Sequence, residues 1–383
     1  MRLRLALVGA LACSLAVPAA SAAPGLLVGV VDNSLMWTHQ PAPIVGVQRD
    51  LGLRAIRLSV RWRRDQWSPT PTQVTELNRA VRASAGVRVV LSISGFAADA
   101  PHDRFQQERF CGFAFNLLAR FPTVNDVVIW NETNTAHFWR PQFAEDGTSA
   151  APAEYAGLLL RCYDLLHGLR PEINVISGST APRGNDNPRA KSPSHSPARF
   201  IRELARGYRE QGRQRRIFDT YGHHPYPNTS AERPSIAHPG GKAIGQGDYA
   251  RLVSVLTTAF RGTGQPVPGQ RGVGIWYLEN GFQSLVPGEK AGSYQGSEND
   301  RHAVSAETAG AHLAEAVRLA YCQPLVKAFF NFELVDDRSL AGWQSGLLWA
   351  DWTPKPAYAA YKQAIADVAR GAVDCSQFSA ARS

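Results

Sequence analysis

The sequence has no apolar run of about 18 residues or more, the length that a membrane-spanning helix needs. Its five cysteines include no C-x-x-C spacing, which argues against a structural zinc site. It also has no dense run of basic residues: 41 Lys and Arg against 32 Asp and Glu give a net charge of +9, but the positive residues are scattered. The excess charge therefore indicates a basic surface and does not favour a nucleic-acid or other polyanionic partner.

What is present is enough to fold. Hydrophobic residues make up 44% of the 383 residues and charged residues 19%, a composition that excludes a disordered chain. Length alone allows one large domain or two ordinary ones. No internal repeat and no break in composition divides the chain, so we expect one domain.

Residues 1–23 have the pattern of a secretory signal peptide. Arg2 and Arg4 supply a positive start, residues 5–17 form a short apolar stretch, and residues 20–22 form an A-x-A cleavage pattern. We therefore expect a secreted or extracellular protein, with retention at the cell envelope as an alternative.

Four cysteines remain once such a leader is removed: Cys111, Cys162, Cys322 and Cys375. An exported protein meets an oxidising environment, so an even number of cysteines predicts two disulfides. We expect them to pair in chain order, Cys111 with Cys162 and Cys322 with Cys375.

The chain after the leader alternates between short apolar runs and longer segments with helical spacing. The predicted strands are 26–32, 55–60, 87–94, 124–130, 173–177, 217–221, 273–278 and 326–332, and the predicted helices are 41–52, 71–84, 103–121, 152–169, 197–212, 248–263, 303–321 and 356–370. Continuous apolar strands are typical of a parallel sheet covered by helices. Eight strand–helix units predict an α/β fold, a (β/α)₈ TIM barrel forming a single catalytic domain over 24–375, with a C-terminal tail at 376–383. A doubly wound sheet is the alternative, but no G-x-G-x-x-G follows the first strand.

In a barrel of this kind the active site lies at the carboxyl ends of the strands. Three of the predicted strands end in segments with polar residues: strand four in 130–132 (Trp-Asn-Glu), strand six in 223–226 (His-His-Pro-Tyr) and strand seven in 278–280 (Leu-Glu-Asn). Strand two itself carries Arg57. We expect these side chains to meet at one end of the barrel.

The two carboxylates Glu132 and Glu279 suit glycoside hydrolysis, in which one carboxylic acid protonates the leaving oxygen and one carboxylate attacks the anomeric carbon. The competing interpretation is a structural ion pair in the barrel mouth, for instance Glu279 with Arg57. A zinc site using His223 and His224 is a further alternative, although adjacent residues of a strand point to opposite faces. We expect no metal and no organic cofactor.

Tryptophans in the predicted loops after the strands offer platforms for sugar rings, because an aromatic face covers the C–H face of a pyranose. Trp139, Trp343 and Trp349 lie in such loops.

The residues at the strand ends resemble clan A of the glycoside hydrolases, in particular cellulase-like enzymes of families 5 and 39. Residues 130–140, WNETNTAHFWR, are similar to the group's W-N-E-P-N-x-x-x-F-W stretch, with Thr133 where proline is usual. His-Pro-Tyr at 224–226 is similar to its motif on strand six, and WYLENG at 276–281 to its second-glutamate strand, with leucine in place of threonine. The likeness continues into a closing G-L-L and P-K-P-A-Y pattern at 346–358.

The resemblance implies that Glu132 is the acid/base and Glu279 the nucleophile. Asn131 would hold the hydroxyl next to the anomeric carbon, while Tyr226 and Arg57 would orient Glu279 and keep it ionised.

Two further roles follow from the same resemblance. His224 would touch Glu132 or the sugar, and Trp349 would be a stacking platform beside the cleaved bond.

The sequence thus predicts a secreted, monomeric, retaining glycoside hydrolase acting on β-linked oligo- or polysaccharides. Retention requires carboxyl groups about 5–5.5 Å apart, and about 6.5–9.5 Å would indicate inversion. A transglycosylase with the same two glutamates, a barrel that binds carbohydrate without cleaving it, and an exported polyanion-binding protein remain as alternatives.

Overall fold

The computed structural model describes residues 23, 25–298 and 302–381, the side chains of 379–381 excepted. The predicted signal peptide lies outside the described residues apart from Ala23. Eight parallel strands close into a barrel in chain order, each hydrogen-bonded to the next and the eighth to the first. The predicted (β/α)₈ fold is therefore confirmed.

Strands and helices alternate around the barrel. The strands are β1 Leu27–Val31, β2 Ala55–Arg61, β3 Arg88–Ser94, β4 Asp126–Asn131, β5 Asn174–Ser179, β6 Thr220–His223, β7 Gly274–Asn280 and β8 Val326–Phe332. The helices are α1 Ser34–Trp37, α2 Ala42–Leu51, α3 Pro71–Ala83, α4 Arg104–Arg120, α5 Ala151–Leu169, α6 Pro197–Glu210, α7 Tyr249–Phe260, α8 Ala306–Tyr321 and α9 Pro356–Ala369. The segment predicted as a tail begins in a short 3₁₀ helix, Cys375–Ala381.

Local sequence fixes where several of these helices begin. The side chains of Thr70, Asp103, Ser196 and Ser305 each accept a hydrogen bond from a backbone N–H in the first turn of the helix that follows. Such caps satisfy donors that the helix itself leaves unpaired. They explain why the predicted helix starts agree closely with the observed ones.

Strand β6 begins three residues later than its apolar pattern predicts. Ile217 and Phe218 are buried, but their backbone N–H groups donate to the side-chain oxygen of Gln265 and not to a neighbouring strand. The side chain of Gln265 thus takes the place of a neighbouring strand as hydrogen-bond acceptor. Ile217 and Phe218 pack in the apolar layer between the strands and the helices before β6 begins.

The barrel interior is filled by one apolar layer contributed by alternate residues of the strands. Its members are Leu27, Val31, Ala55, Val90, Val128, Ile176, Trp276, Leu278, Ala328 and Phe330. A larger apolar layer lies between the strands and the surrounding helices. Because side chains alternate along a strand, Arg57 lies one layer above Ala55 on the inner face, towards the carboxyl end of the barrel.

The alternation is interrupted on the two strands that carry the predicted catalytic glutamates. On β4, Trp130 adopts a φ of 72° and packs outward against Trp62 and Phe110. On β7, the register with β8 shifts between Tyr277 and Asn280. These irregularities change which residues at the two strand ends face the barrel mouth.

Both predicted disulfides are present. Cys111–Cys162 joins α4 to α5, and Cys322–Cys375 joins the end of α8 to the segment after α9. Close by, the N–H of Ala23 donates to the carbonyl of Tyr321 at 2.7 Å, so both ends of the described chain meet beside α8.

Within the described ranges, none of the helices combines the length and the apolar character that a membrane crossing requires. The two disulfides fit an extracellular protein.

Candidate active site

A cavity of about 570 Å³ opens at the carboxyl ends of the strands. It is lined by Arg57, Ser59, Ser94, Asn131, Glu132, Thr135, His137, Phe138, Ala181, Pro182, Arg183, Tyr226, Glu279, Phe332 and Trp343. Five of the predicted site residues, Arg57, Asn131, Glu132, Tyr226 and Glu279, are among them, and His224 lies beneath, fully buried.

Glu279 is held by charged and hydroxyl donors. The Nη1 of Arg57 donates to its Oε1 at 2.5 Å, and the hydroxyl of Tyr226 donates to its Oε2 at 3.2 Å. Burial opposes ionisation, but the charges of His224 and Arg57 and the hydrogen bonds from Arg57 and Tyr226 outweigh it and hold the pKa of Glu279 below its usual range. Glu279 is therefore an anion across the neutral range.

Glu132 faces Glu279 across the cavity floor, with His224 between them. The Nδ1 of His224 lies 2.9 Å from Oε1 of Glu132 and 3.4 Å from Oε2 of Glu279. One oxygen of each glutamate and a ring nitrogen of His224 all lie within 4.8 Å of one another. The Nε2 of His224 is buried, and no hydrogen-bond partner for it exists among the described residues.

Arg57 links the glutamate of β7 to the neighbouring strands. Its Nη2 donates to Oγ of Ser92 at 2.8 Å and to Oδ1 of Asn131 at 3.4 Å. The guanidinium is 2% exposed, so its position is fixed by these partners. The ion pair of Arg57 and Glu279 that the sequence offered as a structural alternative is thus present, inside the cavity and not apart from it.

The aromatic wall of the cavity differs from the prediction. Trp349 is 5% exposed, its ring faces Nζ of Lys355 at 4.6 Å, and it does not line this cavity. Trp343 is 43% exposed, lines the cavity and stacks on Tyr226 with ring centroids 5.5 Å apart. Of the two tryptophans, Trp343 and not Trp349 therefore borders the cavity. Trp139 is fully buried and offers no face to a ligand.

A metal would compete with existing contacts here. Among the described residues, Glu132, His224 and Glu279 form the one group of three side chains spaced to hold an ion. Arg57 already neutralises Glu279 at 2.5 Å, which disfavours a cation at the same carboxylate. His223 is engaged elsewhere, with Nδ1 against the hydroxyl of Thr180 and Nε2 donating to the carbonyl of Ile244, so it does not join His224 in this group.

A third carboxyl group, that of Glu333, lies nearby at the end of β8. Burial, followed by the negative charges of Asp337 and Asp32, raises the pKa of Glu333 to about 9. Burial also raises the pKa of Asp32 to about 6. Glu333 is therefore neutral at pH 7, whereas Glu279 on the adjacent strand is ionised.

Several lining residues were not predicted. Ser59 and Ser94 continue the inner-face alternation of β2 and β3, which is a signal that the sequence does carry. Thr135, His137 and Phe138 lie in the turn after β4, where no periodicity indicates orientation.

No protein-family model matches the chain, and no curated protein matches it by sequence. Solved structures do resemble it. They include a GH39 enzyme from Xanthomonas axonopodis pv. citri (16% identity, 91% of this chain and 68% of that chain, TM-score 0.57). A glucosidase from Croceicoccus marinus is 13% identical, with 91% of this chain and 68% of that chain covered and a TM-score of 0.57. A GH5_18 enzyme from Streptomyces cattleya in complex with GlcNAc is 15% identical, with 91% of this chain and 81% of that chain covered and a TM-score of 0.56. At these identities the likeness establishes the fold, a TIM barrel of the kind found in clan A glycoside hydrolases.

Proposed function

We propose that the protein is a secreted glycoside hydrolase that cleaves β-glycosidic bonds of oligo- or polysaccharides with retention of configuration. The observation that carries the proposal is the pair of glutamates on β4 and β7, with carboxylate oxygens within 4.8 Å of each other in an open cavity. Carboxyl groups about 5–5.5 Å apart are typical of retaining enzymes, and about 6.5–9.5 Å of inverting ones.

In the first step the Glu132 carboxylic acid gives its proton to the glycosidic oxygen while the bond from that oxygen to the anomeric carbon breaks. A carboxylate oxygen of Glu279 attacks the anomeric carbon and forms a glycosyl ester. In the second step the Glu132 carboxylate accepts a proton from water, whose oxygen attacks the anomeric carbon. The ester bond breaks, which restores Glu279 as an anion and Glu132 as an acid.

Electrostatics support the assignment of these roles. The nucleophile must be ionised, and Glu279 is the glutamate whose pKa is lowered, by His224 and Arg57 against the effect of burial. Glu333, at the end of the adjacent strand, has a pKa of about 9 and is excluded as nucleophile at neutral pH. Arg57 and Tyr226 both donate to Glu279, whereas Glu132 contacts Nδ1 of His224, so the two glutamates have different surroundings.

Two further groups are placed to bind the reacting sugar. Asn131 Nδ2 has no hydrogen-bond partner among the described residues and borders the cavity, so it is free to donate to a hydroxyl beside the anomeric carbon. Trp343 presents an exposed face for stacking.

Export accounts for the two disulfides and for the leader pattern at 1–23. Mass spectrometry of the protein secreted by the host would test cleavage: we expect a mature N-terminus at or beside Ala23.

The activity test uses the mature chain against aryl β-glucosides, β-mannosides, β-xylosides and β-N-acetylglucosaminides and against β-glucans. We expect release of the aryl group by the wild type and a loss of about 10³-fold or more for Glu279→Ala, because the attacking group is gone. Azide should restore activity to this variant and yield a glycosyl azide of inverted configuration. Glu132→Ala should retain more activity on substrates with acidic leaving groups.

Glu172→Ala is the matched control, since Glu172 is a surface glutamate just before β5, at the amino end of that strand and away from the cavity. Full activity in Glu279→Ala would overturn the proposal. Products longer than the donor substrate would identify transglycosylation on the same two glutamates.

A further inference from the structure

The catalytic cavity continues into a groove along one side of the barrel mouth. A second cavity of about 350 Å³ shares Ser59, Ser94 and Phe138 with it, and a third cavity of about 470 Å³ shares Trp37 with the second. We call the second and third cavities the side cleft. It runs over the segments that follow β1, β2 and β3.

Exposed aromatic rings border each part of the side cleft. Phe96 (43% exposed) borders the second cavity, Trp352 (40%) borders the third, and Trp37 (63%) stands between them. The ring of Phe96 packs between an offset stack on Phe138, with centroids 6.2 Å apart, and the guanidinium of Arg61, which lies 4.6 Å from its centroid, so Phe96 contributes an apolar edge and Trp37 the open face. Large aromatic side chains left open in a groove are typical of binding surfaces.

Polar groups without partners accompany these rings. The Glu76 carboxylate has no hydrogen bond or ion pair within the described part of the chain, and it borders the second cavity. Asn33 uses Oδ1 to accept from the N–H of Ser59 at 2.8 Å, while its Nδ2 has no partner among those residues. A few free polar groups beside aromatic faces are what a sugar ring, with apolar C–H faces and equatorial hydroxyls, requires.

The opposite side of the catalytic cavity is walled. Ala181, Pro182 and Arg183, which follow β5, line it, and Arg183 is held there by donation from Nη1 to the carbonyl of Pro227. A chain that occupies the catalytic cavity therefore has its continuous path towards the side cleft.

We propose that the side cleft binds the sugar units next to the reacting one, so that the substrate is a β-linked chain of three or more units. One unit would occupy the catalytic cavity and one each part of the side cleft, with stacking on Trp37. This inference rests on the proposed function and adds to it a minimum chain length and the residues that bind the additional units.

The test measures binding without turnover. Glu279→Ala is titrated calorimetrically with cello-, β-1,4-manno- and chito-oligosaccharides, each series running from monosaccharide to hexasaccharide. In one series we expect the affinity to rise steeply between the disaccharide and the tetrasaccharide. Adding Trp37→Ala should lower the tetrasaccharide affinity about tenfold, as expected for one lost stacking contact.

Phe105→Ala is the matched control, because Phe105 is as exposed as Trp37 (63%) but lies on α4, outside these cavities. It should leave the whole length dependence unchanged. The inference is overturned if affinity does not depend on length, if no series binds, or if Trp37→Ala behaves as Phe105→Ala does.

Kinetics on the wild type separates this inference from the proposed function. If the disaccharide and the hexasaccharide are cleaved with the same kcat/KM, the side cleft does not bind sugar units, but the protein is still a glycoside hydrolase. Length-dependent binding that Trp37→Ala weakens, without cleavage of any substrate by the wild type, supports the side cleft and contradicts the hydrolase.

Discussion

Two cavities of similar size lie at opposite ends of this barrel. The one at the amino ends of β3 and β4 has about 670 Å³, and the one at the carboxyl ends has about 570 Å³. In the first, Arg88 meets Asp126 through two hydrogen bonds of 2.6 and 2.7 Å, and Asn174 donates to the same carboxylate. The charges of Arg88 and Asp126 are thus paired with each other, and the two atoms of this cavity's lining that are buried without a partner among the described residues, Oγ of Ser84 and Oδ1 of Asn125, belong to neutral side chains.

The carboxyl end uses similar residue types differently. The two glutamates share His224, Arg57 pairs with Glu279, and Nε2 of His224 has no partner within the described part of the chain. The comparison teaches that the volume of a cavity does not identify a site. What distinguishes the mouth is convergent ionisable groups whose hydrogen-bonding capacity is not exhausted.

The largest effect is expected when the arginine at each end of the barrel is replaced and the two variants are compared. For Arg57→Met we expect kcat/KM to fall by about 10³-fold, because the charge that holds Glu279 ionised is lost from a buried site. Without that charge the pKa of Glu279 rises, so the acid limb of the pH–rate profile moves to higher pH.

Arg88→Met is the control at the other end. Half of the Arg88 side chain is exposed, but Asp126 is buried and keeps only the donor Asn174, so we expect this variant to be less stable than the wild type while its mouth is unchanged. Its kcat/KM should equal that of the wild type, measured with the same aryl glycoside. Equal losses for both variants would contradict the assignment of the mouth as the active site.

A second test concerns an ion pair of the mouth that is structural. Nζ of Lys355 lies 2.9 and 3.0 Å from the two oxygens of Asp336, and both side chains are buried. The pair closes the segment that carries Trp343. We expect Lys355→Met to lower the free energy of unfolding by about 3 kcal/mol, because Asp336 is left buried and uncompensated.

Urea denaturation followed by circular dichroism measures this loss. The double variant Lys355→Met with Asp336→Leu should recover much of it, since no buried charge remains. If the double variant is less stable than Lys355→Met alone, the explanation by an uncompensated charge is wrong.

The smallest expected effect is on the pH–rate profile, and it comes from removing the hydroxyl of Tyr226. Its hydroxyl donates to Glu279 and helps to lower the pKa of that carboxyl. In Tyr226→Phe the folded-state pKa of Glu279 rises, so activity is lost at a higher pH as the solution is acidified. We expect the acid limb to move up by about one pH unit or less, which corresponds to about 1.4 kcal/mol. The pH–rate profile of kcat/KM measures it.

Tyr294→Phe is a suitable control, because Tyr294 donates to Asp336 and lies outside the catalytic cavity. A shift of the acid limb in this variant of the same size would contradict a specific effect of Tyr226.

The order and bounds of the strands and helices were predictable because buried parallel strands are apolar throughout and helix caps are local. Glu132, Glu279, His224 and Tyr226 could be predicted because strand ends converge in a barrel, whatever the loops do. These four side chains do meet in the structure, and their catalytic roles remain proposals.

The rest depends on packing that the sequence pattern does not express. Trp343 and Trp349 stand in the same loop, and whether one of them is open follows from Lys355 lying against Trp349. The late start of β6 follows from Gln265, 47 residues or more away in the chain. Asn131 and Glu132 both line the cavity although adjacent residues of a strand should not share a face, and this requires the backbone of Trp130 at a φ of 72°.

The meeting of the two chain ends beside α8 has a consequence for attachment. Ala23 pairs with Tyr321, and Cys375 is bonded to Cys322, both just before β8 begins and so at the end of the barrel away from the cavity. A fusion partner, a linker or an anchor joined before residue 23 would emerge there. The protein can therefore be immobilised or displayed from its amino-terminal side with the mouth turned outward.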